Sequence, residues 1–194
     1  MTHPWGMAGR RNRASSAAGR SSVSGERILT GMPSNYWGQG FSPRGEKSRF
    51  VLPADFRATV REASGGQRLL CLDKHHKNPC LVGFGLSRAE SFAAAIDREE
   101  RNAIERGHDF DRDERAAQLY GFLRVSFDDS GRFILPEHLA EQAQIDGALY
   151  FHGGGDAFTI WSPEVLFTMG AGWDSAKATC RALMAEAVAK GKRK

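Results

Sequence analysis

Long apolar runs are missing from the 194-residue chain. No stretch approaches the roughly 18 to 20 apolar residues that a membrane-spanning helix needs, which excludes an integral membrane protein. The N-terminus also lacks the apolar core of a secretory signal peptide. Cysteine is scarce, because Cys71, Cys80 and Cys180 are too few, and odd in number, for a disulfide framework. These absences favour a reducing compartment, and we expect a cytoplasmic protein.

Basic charge is concentrated at the two ends of the chain. The sequence has 27 Lys and Arg residues against 23 Asp and Glu residues, a formal net charge of +4. Residues 1–33 contribute +4 and residues 190–194 another +4, so residues 34–189 carry −4. The basic pI is therefore no argument for nucleic-acid binding by the folded body, and such an argument needs a local cluster of charge.

Residues 1–33 are rich in Arg, Ser, Gly and Ala and have no apolar period. This composition predicts a disordered tail. It is also typical of an organelle transit peptide. A third interpretation is that translation starts at Met32, immediately before the first segment with a structured pattern.

The remainder of the chain contains an internal repeat. Residues 48–53, Ser-Arg-Phe-Val-Leu-Pro, return 83 positions later at 131–136 as Gly-Arg-Phe-Ile-Leu-Pro. Each copy precedes one helical stretch and two strand-like stretches, which predicts an α+β fold from two tandem β-β-α-β-β units. The predicted helices and strands are 54–61, 68–72 and 80–84 in the first copy and 137–143, 148–152 and 157–161 in the second.

Linking helices are predicted between and after the two copies. Ser87 and Glu90 have capping-box spacing, so a helix is expected from Ser87 to Gly107. A second helix is predicted over 112–120, and Ser162-Pro163 predicts the start of another. A terminal helix is expected over 173–189. The apolar stripes are Phe92, Ala95, Ile96 and Ile104 in the first of these helices and Ala176, Cys180, Leu183 and Val188 in the last.

The repeated motif resembles the signature of a known family. Residues 127–136, Phe-Asp-Asp-Ser-Gly-Arg-Phe-Ile-Leu-Pro, are similar to the D-x-x-G-R-hydrophobic-hydrophobic-P motif of MraZ proteins. The first copy resembles it less well, because Gly45 stands where the family usually has Asp and Ser48 where it usually has Gly. The resemblance extends over about residues 35–168.

This resemblance implies a bacterial, nucleoid-associated repressor that binds tandem promoter repeats in double-stranded DNA as a ring homo-oligomer. It implies two SpoVT-AbrB-type swapped-hairpin modules, at 35–86 and 121–168. Linking helices would occupy 87–120, and a C-terminal helix with a basic tail would occupy 169–194. Lys47 and Arg49 match the family's basic positions in the first copy. Arg132 and Asp128 match the signature arginine and carboxylate of the second.

Local charge agrees in part with these implied contacts. Residues 41–61 carry a net +3, whereas the second motif has a local charge of −1. We therefore expect the first copy to contact DNA and Asp128 and Arg132 to form an internal structural pair. The candidate DNA-binding residues are Arg44, Lys47, Arg49, Arg57 and Arg132. The alternatives are a solvated charged face and a protein–protein scaffold or antitoxin-like partner that uses the same fold without DNA.

Other chemistry is weakly supported. Cys71, His75, His76 and Cys80 have the residue types of a zinc site, but the two cysteines fall in apolar strands and favour a plain hairpin. The acidic run Asp109-x-Asp111-x-Asp113 begins like a calcium loop but lacks its glycine and terminal glutamate, so we interpret it as a helix N-terminus. The sequence has no recognisable catalytic set, and we expect neither an enzyme nor a cofactor.

Overall fold

The computed structural model describes residues 35–191, which contain eight β-strands and six α-helices. In chain order these are β1 (Gln39–Pro43), β2 (Arg49–Val51), α1 (Ala54–Ala63), β3 (Leu69–Lys74), β4 (Leu81–Phe84), α2 (Phe92–Glu105), α3 (Arg112–Tyr120), β5 (Leu123–Ser126), β6 (Arg132–Ile134), α4 (Glu137–Gln142), β7 (Ala148–Gly153), β8 (Phe158–Trp161), α5 (Pro163–Thr168) and α6 (Asp174–Gly191). The predictions for the N-terminal tail, its transit peptide, the translation start and the last basic residues lie outside the described residues.

The order β-β-α-β-β occurs twice, first as β1-β2-α1-β3-β4 and then as β5-β6-α4-β7-β8. Equivalent strands also bury the same positions. The central residue alone is buried in both β2 and β6, and the burial patterns of β3 and β4 are identical to those of β7 and β8. The two copies therefore place their apolar residues in the same way relative to the core.

Strands from the two copies are intermixed within an antiparallel architecture. A six-stranded sheet has the order β1-β7-β8-β4-β3-β5, and a separate two-stranded ladder joins β2 to β6. The first strand of each copy thus pairs with the third strand of the other copy, β1 with β7 and β5 with β3. In the small ladder Phe50 is opposite Phe133, with Arg49 opposite Ile134 and Val51 opposite Arg132.

Two apolar clusters cover the sheet. Leu149, Phe151 and Ile160 belong to the larger cluster, whereas Tyr150 and Trp161 belong to the smaller one. Because successive strand residues point to opposite faces, β7 and β8 contribute to both clusters in alternation. The smaller cluster includes residues of α5 and α6, and the larger one contains Phe50 and Phe133. No helix between residues 35 and 191 is long and apolar enough to span a membrane.

Three expectations about the helices are wrong. The segment Leu86–Ser91 is a 3-10 helix, so α2 begins at Phe92 and the capping box at Ser87 does not form. In this segment the Arg88 guanidinium lies over the Phe84 and Phe92 rings and pairs with Asp156, so tertiary contacts hold the tighter turn.

The other two errors concern the ends of apolar stripes. Ile104 is exposed because the apolar contact between α2 and α3, Phe92 with Tyr120, is at the other end of α2. The remaining contacts between the two helices include ion pairs, Arg112 with Asp97 and Glu100 and Arg115 with Glu99. Val188 is exposed because α6 buries its face only at Ala176 and Cys180, two turns earlier.

Gly131 has a structural role in the turn between β5 and β6. Its φ is +81°, and a Cβ atom there would lie 2.8 Å from the carbonyl oxygen of Leu52. We expect Gly131→Ala to lower the free energy of unfolding by about 2 kcal/mol, because the substitution combines a left-handed backbone with a clash against the main chain. Thermal or urea unfolding measures this change.

Gly147→Ala is the matched control for this substitution. An added Cβ at Gly147 meets no heavy atom within 4 Å, and its φ is not positive. Its expected effect is within about 0.5 kcal/mol. Equal stability of the two variants would contradict the role assigned to Gly131.

Candidate functional site

The β2–β6 ladder has one buried and one exposed face. Phe50 and Phe133 are buried, and their ring centroids lie 6.3 Å apart. The alternation of side chains then places the neighbouring residues on the opposite, exposed face. This face, which we call the ladder face, consists of Arg49, Val51, Arg132 and Ile134.

The turn before β6 is organised by one carboxylate. Asp128 Oδ1 accepts the backbone N–H groups of Ser130 and Arg132, each at 2.9 Å. Its Oδ2 accepts the Nε–H of Arg132 at 2.8 Å. The backbone N–H of Arg132, together with its guanidinium and the Ser130 N–H, lowers the pKa of Asp128 below its ordinary value. The Nε side of the Arg132 guanidinium is thereby fixed to the turn.

The equivalent turn before β2 keeps the backbone contact but lacks the carboxylate. The Gly45 N–H donates to the Arg49 carbonyl at 2.7 Å, as the Asp128 N–H does to Arg132 at 3.0 Å. Lys47 and Ser48 both have a φ of 55°, in the left-handed region, whereas the second copy has a glycine at the position of Ser48. No salt bridge among residues 35–191 involves Lys47 or Arg49. The substitution of the signature Asp therefore leaves Arg49 without the ion pair that Arg132 has.

The other two basic candidates lie away from the ladder face. Arg44 Nη1 contacts Asp146 Oδ1 at 3.1 Å, and Arg44 Nη2 donates to Ser48 Oγ at 2.8 Å. Arg57 is on α1, half-buried, and its guanidinium lies close to Gly131. The structure thus brings Lys47, Arg49 and Arg132 together and places Arg44 and Arg57 in contacts within the fold.

Two open clefts flank the ladder and differ in charge. The first, of about 470 Å³, has Lys47, Arg49 and Arg132 against Glu46, with Val51 between them, and we call it the basic cleft. The second, of about 690 Å³, is lined by Glu137, Glu141 and Asp146 against Arg44, with Ile134 at its wall, and we call it the acidic cleft. An anionic ligand is therefore favoured at the basic cleft and repelled at the acidic one.

Val51 and Ile134 were not among the sequence-based candidates. Both are exposed on the ladder face although both are apolar. The signal was present in the sequence, because the strict alternation about Phe50 and Phe133 puts the residues on either side of each phenylalanine together on the other face. The pairing of β2 with β6 was needed to show that they share this face with the arginines.

The residues considered for zinc and calcium have other roles. Cys71 and Cys80 are buried in different apolar clusters, as expected for small apolar side chains. Burial raises the pKa of Cys71 to about 11 and that of Cys80 to about 12. Asp111 is the N-cap of α3 and accepts the Glu114 N–H at 2.8 Å, which confirms the interpretation as a helix N-terminus.

The fold and the ladder define an α+β protein of two β-β-α-β-β copies that share one exposed, basic two-stranded ribbon. No family model matches the chain. The chain is 34% identical over 120 residues to transcriptional regulator MraZ of Gluconobacter oxydans, covering 61% of this chain and 70% of that protein. Its identity to transcriptional regulator MraZ of Gluconacetobacter diazotrophicus is 33% over 119 residues, covering 60% and 72%.

A third relative, transcriptional regulator MraZ of Rickettsia canadensis, is 31% identical over 128 residues, covering 61% of this chain and 75% of that protein. The chain therefore belongs to the MraZ family of transcriptional regulators. The resemblance found in the repeated motif is confirmed.

The lowered pKa of Asp128 predicts a pH dependence of stability. A carboxyl whose folded-state pKa lies below its unfolded value, about 3.9, stabilises the fold fully above that value. This contribution is lost as the pH falls through the lower, folded-state pKa. We expect Asp128→Asn to be less stable than the parent at pH 7 and the difference to shrink below about pH 4.

Urea unfolding of both proteins from pH 7 to pH 3 measures this trend. Asp129→Asn is the control at the neighbouring position, because Asp129 pairs with Arg68 but accepts no backbone N–H in the turn, so it reports the loss of an exposed ion pair alone. A difference between parent and Asp128→Asn that is constant over this range would contradict the role given to the carboxylate.

Proposed function

We propose that the chain is a sequence-specific DNA-binding transcriptional regulator that represses by occupying a promoter. The observation that carries the proposal is the basic cleft, which Lys47, Arg49 and Arg132 surround with a single carboxylate, Glu46, among them. Arg and Lys are the residues that contact phosphates and guanine edges. Family membership makes DNA the expected partner of such a cleft.

The geometry of the ladder suits a DNA groove. A two-stranded β-ribbon fits the major groove of B-DNA, and the β2–β6 ladder is such a ribbon with one exposed side. In this arrangement Arg132, oriented by Asp128, and Arg49, without an ion pair, would read base edges. Lys47, at the tip of the turn, would contact phosphate as a point charge. Arg44 and Arg57 would contribute by supporting the ladder.

The proposal includes two tandem modules of the SpoVT-AbrB swapped-hairpin type. The exchange of strands supports it, because β1 and β2 of the first copy pair with β7 and β6 of the second, while β5 pairs back with β3. Two interlocked copies with an approximate twofold relation between β2 and β6 suit this type of module. The rival proposal, a scaffold or antitoxin-like partner, would leave the basic cleft without DNA.

Substitutions in the basic cleft test DNA binding directly. Arg49→Ala should weaken binding to the preferred sequence by about 1–3 kcal/mol if Arg49 contacts a base. Lys47→Ala should weaken binding to all sequences about equally and reduce the salt slope by about one, because it removes one phosphate contact. Mobility-shift titrations on DNA from upstream of the protein's own gene and on random DNA, each at several salt concentrations, measure both effects.

Arg101→Ala is the matched control for these variants. Arg101 is an exposed arginine on α2 that lines neither cleft, so its removal changes net charge alone. If the cleft variants fold and bind DNA like the Arg101 variant, the contact with DNA is elsewhere. If the parent binds both DNAs equally, the rival proposal of a protein scaffold is favoured.

The proposal also includes a ring homo-oligomer bound to tandem repeats. A ring presents several copies of the basic cleft, so binding of a second DNA repeat becomes effectively intramolecular. Affinity for tandem sites should then exceed affinity for a single site by a factor on the order of 10² to 10⁴. Light scattering on the free protein and titrations with one, two and three copies of the bound segment measure this. A stable monomer, or equal affinity for one and three copies, would exclude the ring.

A further inference from the structure

Val51 is an exposed apolar residue among cations. It is 43% exposed on the ladder face, directly opposite Arg132 and two residues from Arg49 on the same side of β2. Lys47 completes its surroundings in the basic cleft. Single exposed apolar residues are common on protein surfaces, but this one lines the basic cleft, which is proposed to contact DNA.

The core does not require an apolar residue at this position. The buried residue of β2 is Phe50. The hydrogen bond from β2 to β1 uses the Val51 backbone N–H, which donates to Ser42 Oγ at 2.8 Å. A polar side chain would satisfy the same ladder and the same hydrogen bond. The apolar side chain of Val51 is therefore available to a ligand.

DNA offers one apolar group in the major groove, the C5-methyl of thymine. We propose that Val51 is a specificity-determining residue that contacts the methyl group of a thymine beside the bases read by Arg49 and Arg132. This inference rests on the proposed function, since it names what the ladder face recognises. The three residues then form one reading surface, with two guanidinium groups suited to guanine and an apolar contact suited to thymine.

Ile134 is the symmetry-related residue and has a different environment. It is 55% exposed and lies opposite Arg49, but it lines the acidic cleft with Glu137, Glu141 and Asp146. Three carboxylates beside it repel the phosphates that flank any base. The contact with thymine is therefore assigned to Val51 alone, and Ile134 provides a control of the same chemical type on the same ladder.

Removal of the thymine methyl is the sharpest test. DNA from upstream of the protein's own gene is amplified with either dTTP or dUTP, so that the two probes differ only in the C5-methyl groups. We expect the parent to bind the uracil probe at least about fourfold more weakly, the effect of one buried methyl group. Val51→Ser should bind both probes equally, Val51→Ala should show an intermediate ratio, and Ile134→Ser should keep the parent ratio.

Each outcome decides the assignment. Discrimination that survives in Val51→Ser, or that is lost equally in Ile134→Ser, overturns the role of Val51. Circular dichroism establishes that the variants are folded. If Val51→Ser is not folded, the milder change Val51→Ala still gives the ratio of affinities for the two probes. A protein that prefers its own upstream DNA over random DNA but binds both probes equally refutes this inference and leaves the proposed function intact.

Two further results distinguish failure of the proposed function from failure of the inference. A parent that binds own and random DNA equally refutes the proposed function itself. If Val51→Ser changes the mass of the oligomer in light scattering and leaves the ratio between the two probes unchanged, Val51 belongs to a contact between copies of the chain, which overturns the inference.

Discussion

The pairing of Phe50 with Phe133 is the contact on which the architecture depends. It lies at the centre of one of the two ladders that join equivalent strands of the two copies in the described residues, the other being β4 with β8, and its two rings are tilted by 41°. Around it β1 and β5 each cross to the other copy's third strand. Neither copy completes its sheet alone, because each pairs its first strand with the third strand of the other copy. Replacing a buried aromatic residue here would remove a contact between the copies as well as core volume. Truncation of a buried Phe to Ala lowers the free energy of unfolding by about 3–5 kcal/mol.

The same constraint positions the candidate site. A strand that buries its central residue must expose the residues on either side, so the burial of Phe50 and Phe133 fixes where Arg49 and Arg132 emerge. The two arginines are thus positioned by core strands, which limits the entropy that they lose on binding to that of their own side chains. The turns before β2 and β6 then decide how each arginine is held, and here the two copies differ.

Much of the local structure could be predicted from the sequence, because it depends on local signals. The repeat with its offset of 83 positions, the start of α1 after Pro53 and the bounds of α3 after Asp111 all agree with the structure. The exchange of strands between copies could not be predicted from residue patterns, because it joins segments about 50 to 110 residues apart. The ion pair of Arg44 with Asp146 was missed for the same reason, since it spans 102 positions. The helix start predicted at Ser87 is wrong because the contacts of Arg88 with distant groups outweigh the local capping signal.

Divergence between the two motifs gives the ladder its asymmetry. In the second copy Asp128 accepts two backbone N–H groups and the Nε–H of Arg132. The charges of Asp128 and Arg132 therefore neutralise each other. In the first copy Gly45 removes the carboxylate, and Ser48 keeps the left-handed backbone without the glycine that suits it. The first turn is therefore less stable than the second, and Arg49, beside Lys47, has no carboxylate partner within residues 35–191. A symmetric pair of motifs would present two equivalent halves to a ligand, whereas this pair presents one basic cleft and one acidic cleft. An anionic ligand is therefore favoured on one side of the ladder and repelled on the other.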